Sequence, residues 1–284
     1  MNENQSLISK HAKSFSWAGF FLSKENFQKC SALYDFCRTI DDIADGNSEL
    51  NLRKKELAGF KSYFKNKNFS NSIIKNMHHL LKENNISYKI IEDLFDGIES
   101  DLRHEINFTT QKELLIYSYR VAGTVGLMMA KILNVKDRYS FKCAIDLGIA
   151  MQLTNIARDV VEDKKKNRAY IKHNFNSIKE TLTMAESFYL SSFSAIKFIP
   201  AISRLSIIIA LRLYKKIGDE ILKKKNLEEY NNAGKIYVSN LSKVFEIVLS
   251  FFDFIRLFFI RSNKNLTKNQ HIIINEEINL DERI

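Results

Sequence analysis

The chain has 284 residues, 45% of them hydrophobic, so it can bury a sizeable core as one large domain or two small ones. One proline, Pro200, and nine glycines leave few of the breakers that strands and tight turns require, and the chain is expected to be nearly all helix. A net charge of +10 suits a nucleic acid, an anionic membrane surface or a polyanionic small substrate, but no zinc-ligand spacing, basic zipper or aromatic-basic sheet motif accompanies it, so nucleic acid is set aside.

Apolar residues recur at helical spacing through roughly 25–44, 49–65, 71–83, 88–104, 111–133, 138–163, 178–197, 201–224 and 235–260. Short polar connectors such as Lys65-Asn-Lys-Asn68 and Lys164-Lys-Lys-Asn167 separate them. No internal repeat, long linker or low-complexity block interrupts the pattern, so a single domain is expected over 1–262, with a polar tail over 263–284 that frays. Cys30, Cys37 and Cys143 form no CxxC pair and read as buried thiols of a reducing compartment. The first residues lack the basic and apolar regions of a signal peptide, which points to a cytoplasmic protein.

Two of the helices carry aspartates in a repeating register. The first contains Tyr34-Asp-Phe-Cys-Arg38-Thr-Ile-Asp41-Asp42-Ile-Ala-Asp45, and the 138–163 helix contains Gln152-Leu-Thr-Asn155-Ile-Ala-Arg158-Asp159-Val-Val-Glu-Asp163. Helix positions three and four apart share a face, so Tyr34, Arg38, Asp41 and Asp45 make one stripe and Gln152, Asn155, Asp159 and Asp163 another. A single aspartate pair of this spacing more often marks a solvated helix face. Two such stripes on otherwise apolar helices, each beside an arginine and an amide or phenol, place like charges where only a cation relieves their repulsion and desolvation. Mg²⁺ answers that need, because one or two carboxylates hold it while waters and substrate phosphates complete its octahedron, and Arg38 and Arg158 would grip the phosphate oxygens. The pair reads as a magnesium-diphosphate site, with Mn²⁺ as the alternative ion.

The segment 244–260 is dense in phenylalanine but interrupted by Glu246, Ser250, Asp253 and Arg256 on one narrow side, which disfavours a spanning helix. It reads either as a core helix with a wet edge, or as an interfacial helix or the wall of a channel for a greasy substrate. Gly123 and Gly126, three apart inside an apolar helix, either open a groove where an apolar chain can approach the backbone or permit close helix packing.

The two acidic segments, together with Tyr117-Ser-Tyr-Arg-Val-Ala-Gly-Thr-Val-Gly-Leu-Met-Met-Ala130, Ala144–Asp163, Asn167-Arg-Ala-Tyr-Ile171 and the entry segment His11-Ala-Lys-Ser-Phe15, resemble the squalene and phytoene synthase family, bacterial phytoene synthases in particular. The likeness covers about residues 8–243, and the two aspartate motifs in this order and separation are highly specific to head-to-head prenyl synthases.

The resemblance implies an all-α, single-domain isoprenoid-synthase fold with a central substrate cavity between the acidic helices. Metal would be held by Asp41 and Asp45 on one side and by Asn155, Asp159 and Asp163 on the other. Ser14, Arg38, Gln152, Arg158 and Tyr214 match diphosphate-contacting positions, Tyr34 shares their face, and Tyr117 matches a cavity tyrosine near the rearranging carbons. Lys235 stands where the family usually has arginine, so a phosphate contact there is a point charge rather than a fork, and Ala12 replaces a serine found in some members. The implied reaction joins two geranylgeranyl diphosphates to phytoene through a cyclopropyl diphosphate, in carotenoid biosynthesis. No GxGxxG occurs and no nicotinamide cofactor is expected, which favours phytoene over squalene. Two rivals are a squalene or dehydrosqualene synthase using farnesyl diphosphate and a non-catalytic respiratory-complex assembly factor of the same fold; degraded acidic motifs would mark the latter, and here both are intact. The lipid-soluble C20 substrates and C40 product imply peripheral association with the inner membrane.

Overall fold

The computed structural model describes residues 21–260 and 266–284. Ser23 caps α1 (Lys24–Asp45) by accepting from the Asn26 amide at 3.2 Å, and α2 (Leu50–Lys65), α3 (Ser72–Glu83) and α4 (Tyr88–Ser100) follow. Their apolar stripes converge on a phenylalanine cluster in which Phe36 of α1 meets Phe60, Phe64 and Phe95 at ring-centre distances of 5.8, 5.3 and 6.0 Å. This cluster holds the outer side of α1 rigid, so the opposite face of the helix, which bears the aspartates, has a fixed position.

The single helix expected over 111–133 divides into α5 (Gln111–Ser118), a π-helical turn at Tyr119–Gly123 and α6 (Thr124–Ile132). Thr110 and Glu113 close a capping box at its start. The wide turn buries Tyr119, whose hydroxyl donates to Asp93 at 3.0 Å. α7 (Arg138–Arg158) packs against α6, the π turn, α9 (Phe175–Ala195) and α10 (Ala201–Leu222), and it buries residues on nearly every side, as a central helix must.

The helix expected to run unbroken from 138 to 163 is interrupted at Asp159, with φ −104° and ψ 15°, and resumes as α8 (Val160–Lys165). Tyr230, in α11 (Leu227–Asn232), stabilises the break by reaching the carbonyls of Ala157 and Arg158 at 3.0 and 2.8 Å. After α8 the chain reverses through Asn167 at φ 57°, a left-handed position that asparagine tolerates. The only strands among the described residues follow from this turn. β1 (Ile106–Asn107) and β2 (Arg168–Ala169) pair in parallel, Ile106 opposite Arg168.

The C-terminal part of the expected tail is ordered instead of frayed. α13 (Lys268–Asn275) and the turn after it bury Ile274, Ile278 and Leu280 in the main core. His271 lies 2.6 Å from the buried Asp146 of α7, and Arg283 holds both oxygens of Asp93 at 2.9 and 3.1 Å. Spaced apolar residues in a polar sequence are enough to anchor the segment once buried acids elsewhere supply partners. α12 (Asn240–Arg256) is shorter than the 235–260 expected and packs along α10.

Gly123 and Gly126 do not line a groove. A Cβ on Gly126 would stand 2.1 Å from the Ala144 carbonyl oxygen, and one on Gly123 would meet Tyr119 and Ile145, so both glycines serve close packing of the π turn and α6 against α7.

Candidate functional site

Tyr34, Arg38, Asp41 and Asp45 occupy one face of α1, as their spacing requires. Gln152, Asn155 and Arg158 lie on the last two turns of α7, Asp159 sits at the break, and Asp163 is on α8. Tyr214 comes from α10 and stands beside Asn155, and it lies within electrostatic reach of Tyr34 on α1. Lys235 precedes α12 and reaches Asp159 Oδ1 at 3.3 Å. Ser14, Ala12 and the rest of the entry segment lie outside the described residues.

A fifth carboxylate ties the two stripes together. Asp101, just beyond the end of α4, accepts from Tyr117 at 2.9 Å and from Tyr170 at 2.6 Å, and its backbone carbonyl takes Arg168 Nη2 at 3.2 Å. The two tyrosine rings stack at 4.6 Å, with Phe108 edge-on to both. Arg168, only 8% exposed, extends Nη1 to Asp45 Oδ1 at 2.8 Å, and Lys166 reaches the other oxygen at 3.2 Å. The β1–β2 pairing makes this possible, because it pins Arg168 beside Ile106 and so beside the end of α4. Spacing could not point to Asp101, since it belongs to neither acidic helix. Arg168 and Tyr170 fall within Asn167–Ile171, and that stretch was the only available signal for them.

Electrostatics divides the acids into two kinds. Burial among protein atoms, then repulsion from Asp45 and Asp101, pushes Asp41 up to about 7, although its side chain remains exposed to solvent. Burial and the neighbouring Asp159 push Asp163 up to about 7 as well. Burial also raises Asp101, against the opposing pull of Arg168 and the two tyrosine hydroxyls. Asp45 behaves oppositely: burial acts to raise it, but Arg168 and Lys166 together hold it below the ordinary carboxylate range. Arg158 grips Asp159 with both arms of its fork, Nε at 2.8 Å and Nη2 at 2.6 Å, and Arg38 reaches Asp42 at 2.6 Å while its Nε is buried without a partner. Beside Asp163 a cavity of about 290 Å³ opens, with Ile156, Val160 and Ile171 as its apolar wall and Arg168, Lys164 and Lys172 around it.

Among the described residues no three acidic, histidine or cysteine side chains converge closely enough to enclose an ion by themselves. Two of the expected ligands, Asp45 and Asp159, are ion-paired to Arg168 and Arg158. The donor set nevertheless suits a hard divalent ion, because it consists of oxygens only and two of its carboxylates are destabilised as anions. The unpartnered Arg38 Nε likewise suits a phosphate oxygen.

The shifts of Asp41 and Asp163 predict how stability depends on pH when a chelator is present. Each binds its proton more tightly in the folded chain than at the ordinary value of 3.8, so its contribution is complete below that value and is lost as pH rises through about 7. The melting temperature in chelator will therefore fall between about pH 4 and pH 7 and level off above, where added Mg²⁺ will restore it. A flat profile with no response to Mg²⁺ would show that the two carboxylates are not crowded.

The family model described as squalene/phytoene synthase matches residues 8–171. A 15-cis-phytoene synthase of Pantoea ananas is 28% identical over 244 residues, covering 74% of this chain and 78% of its own, and one from Enterobacter agglomerans is 29% identical over 246 residues, covering 74% and 82%. A chloroplastic phytoene synthase of an Oncidium hybrid cultivar is 25% identical over 277 residues, and the aligned part spans 86% of this chain but 66% of the plant protein. Among solved structures, a dehydrosqualene synthase in complex with ligand superposes with a TM-score of 0.72 at 26% identity, covering 87% of this chain and 93% of that one. The helical architecture is thus the all-α isoprenoid-synthase fold. With the family's model matched across both acidic motifs and more than half the sequence, this chain belongs to the squalene/phytoene synthase family.

Proposed function

We propose that the protein joins two prenyl diphosphates head to head, with geranylgeranyl diphosphate as substrate and phytoene as product, by way of the cyclopropyl prephytoene diphosphate and with release of diphosphate. The observation that carries this reading is the pair of acidic stripes on α1 and α7–α8, coupled through Asp101 and interleaved with Arg38, Arg158, Arg168 and Lys235. Carboxylates for a divalent ion and guanidinium forks for phosphate, alternating across one site, match the needs of two diphosphates in succession. The names of the bacterial relatives support the C20 substrate.

Asp41, Asp45, Asn155, Asp159 and Asp163 would hold Mg²⁺ or Mn²⁺, which when bound draws electrons from a diphosphate and makes it a leaving group. The chain's own groups do the rest. Arg158 would release Asp159 to serve among the oxygens that hold the ion and would offer its fork to phosphate oxygens, and Arg38 Nε would gain the acceptor it lacks. Tyr117, Tyr170 and Phe108 present π faces and hydroxyl dipoles to cationic carbons, and the buried Asp101 fixes both hydroxyls so that neither donates its proton to the wrong atom. Burial and the Asp101 charge raise Tyr117 far above its usual range, so it stays a neutral phenol through turnover.

The runner-up substrate is farnesyl diphosphate, favoured by the likeness to a dehydrosqualene synthase structure. Incubation with C15 and with C20 diphosphates, Mg²⁺ present and reductant absent, followed by identification of the hydrocarbon, decides between them. Phytoene from the C20 donor is expected, and a C30 hydrocarbon alone would move the protein to the runner-up. Arg38→Lys and Arg158→Lys will each lower turnover by about tenfold to a thousandfold, because lysine keeps the charge and loses the fork. Wild-type rates for both variants would make these structural arginines.

A further inference from the structure

α12 is turned inside out relative to an ordinary surface helix. Its polar side faces the protein: Glu246 and Ser250 are buried, Arg212 of α10 donates to Glu246 at 2.8 Å and also holds Asp253, and Lys216 stands 3.8 Å from Glu246. Its apolar side faces outward. Leu241, Phe245, Phe252 and Ile255 are exposed, as are Phe258 and Phe259 just after the helix, with Leu241 and Phe259 each 82% accessible. The patch continues onto exposed Phe198 and Ile202, because Lys197 ties this corner together by donating to the Ile260 carbonyl at 3.0 Å.

An outward row of aromatic and aliphatic side chains over 17 residues, whose polar face is spent on internal ion pairs, is left largely uncovered by the described residues, although Phe21 meets Phe251 and Phe254 meets Phe258 edge-on. Charge identifies the occupant. Both acids of α12 point inward and are neutralised by Arg212 and Lys216, while Lys197, Lys243 and the exposed Arg256, which also stands 3.7 Å from Asp253, border the apolar face. An anionic lipid surface matches an apolar centre with a cationic border. A second copy would bring this same patch, cationic border included, against itself, and both acids of α12 already face inward and could not offset that border.

We propose that α12, with Phe258 and Phe259, is a monotopic docking face that lies in the headgroup region of an anionic membrane. No helix among the described residues is long and apolar enough to cross one. The inference stands on this surface alone and holds whichever diphosphate the acidic site takes.

The test uses the full chain and vesicles of phosphatidylcholine with roughly 30% phosphatidylglycerol, against pure phosphatidylcholine. The protein is expected to float with the anionic vesicles, to remain partly bound in about 1 M NaCl, and to lose at least about tenfold in partitioning as the Phe252→Glu/Phe259→Glu double variant. Because both side chains are exposed, that variant should keep the wild-type circular dichroism and melting temperature, and Tyr63→Glu, at an exposed site on α2, should bind as wild type. Lys243→Gln/Arg256→Gln should abolish the preference for anionic vesicles, with the neutral amide chosen because Arg256 stands 3.7 Å from Asp253, and circular dichroism should match wild type. Absence of flotation, complete release by salt, or a concentration-dependent dimer that the phenylalanine variant dissolves would each overturn the proposal, the last by assigning the face to a second copy.

Discussion

Asp41→Asn and Asp159→Asn will each lower turnover by at least about a hundredfold, equivalent to roughly 2.7 kcal/mol of lost transition-state stabilisation, and excess chelator will abolish it. The two variants should part company in stability. Asp41 is crowded by Asp45 and Asp101, so neutralising it relieves repulsion and leaves the melting temperature in chelator unchanged or higher. Asp159 is the partner of Arg158 and Lys235 in half-buried surroundings, so its amide variant weakens an ion pair and melts lower, by an amount on the order of 1 kcal/mol. Steady-state kinetics with thermal unfolding separates the two effects. Full turnover in chelator would remove the divalent ion from the reaction, and wild-type activity in both variants would remove the aspartates.

Gly126→Ala and Gly148→Ala will each destabilise the protein by about 3 kcal/mol, and leucine at either site will prevent folding. A Cβ at Gly126 falls 2.1 Å from the Ala144 carbonyl oxygen, and one at Gly148 falls 2.1 Å from that of Ala122. In both cases the obstacle is backbone, which cannot rotate aside, so α7 must separate from α6 and the π turn along their contact. Gly59 supplies the contrast, being inside α2 with nothing within 4 Å of its Cβ position. There alanine should stabilise by roughly 0.5–1 kcal/mol, because the unfolded chain loses freedom. Urea denaturation of the three alanine variants checks the ordering, and a Gly126→Ala protein within about 0.5 kcal/mol of wild type would sink the account.

The helices were legible because their signal is local. Apolar residues three and four apart report a buried face whatever that face meets, so α1–α4, α9 and α10 lie close to where periodicity places them. The same logic put the aspartates on shared faces and assigned a hard cation to them, since residue type and spacing fix which side chains stand together on one helix. Where the local signal was ambiguous it stayed so: the glycines of α6 read equally as groove or contact, and the phenylalanine-rich segment as core or interface.

Tertiary structure decided the glycines and the side that α12 turns inward, because each depends on what lies opposite. α7 fills the space beside Gly126, and Arg212 turns the polar side of α12 inward, which no property of residues 240–256 by themselves requires. The C-terminal segment is polar in sequence yet ordered, because Asp146 and Asp93, far away in the chain, need the partners that His271 and Arg283 provide. Asp101 shows the limit most clearly. It joins both acidic stripes only because a two-residue strand pair brings Arg168 and Tyr170 to the end of α4, so its place in the site comes from chain segments more than sixty residues apart. Helical spacing determined which charges share a face, and packing between distant segments determined which faces share a site.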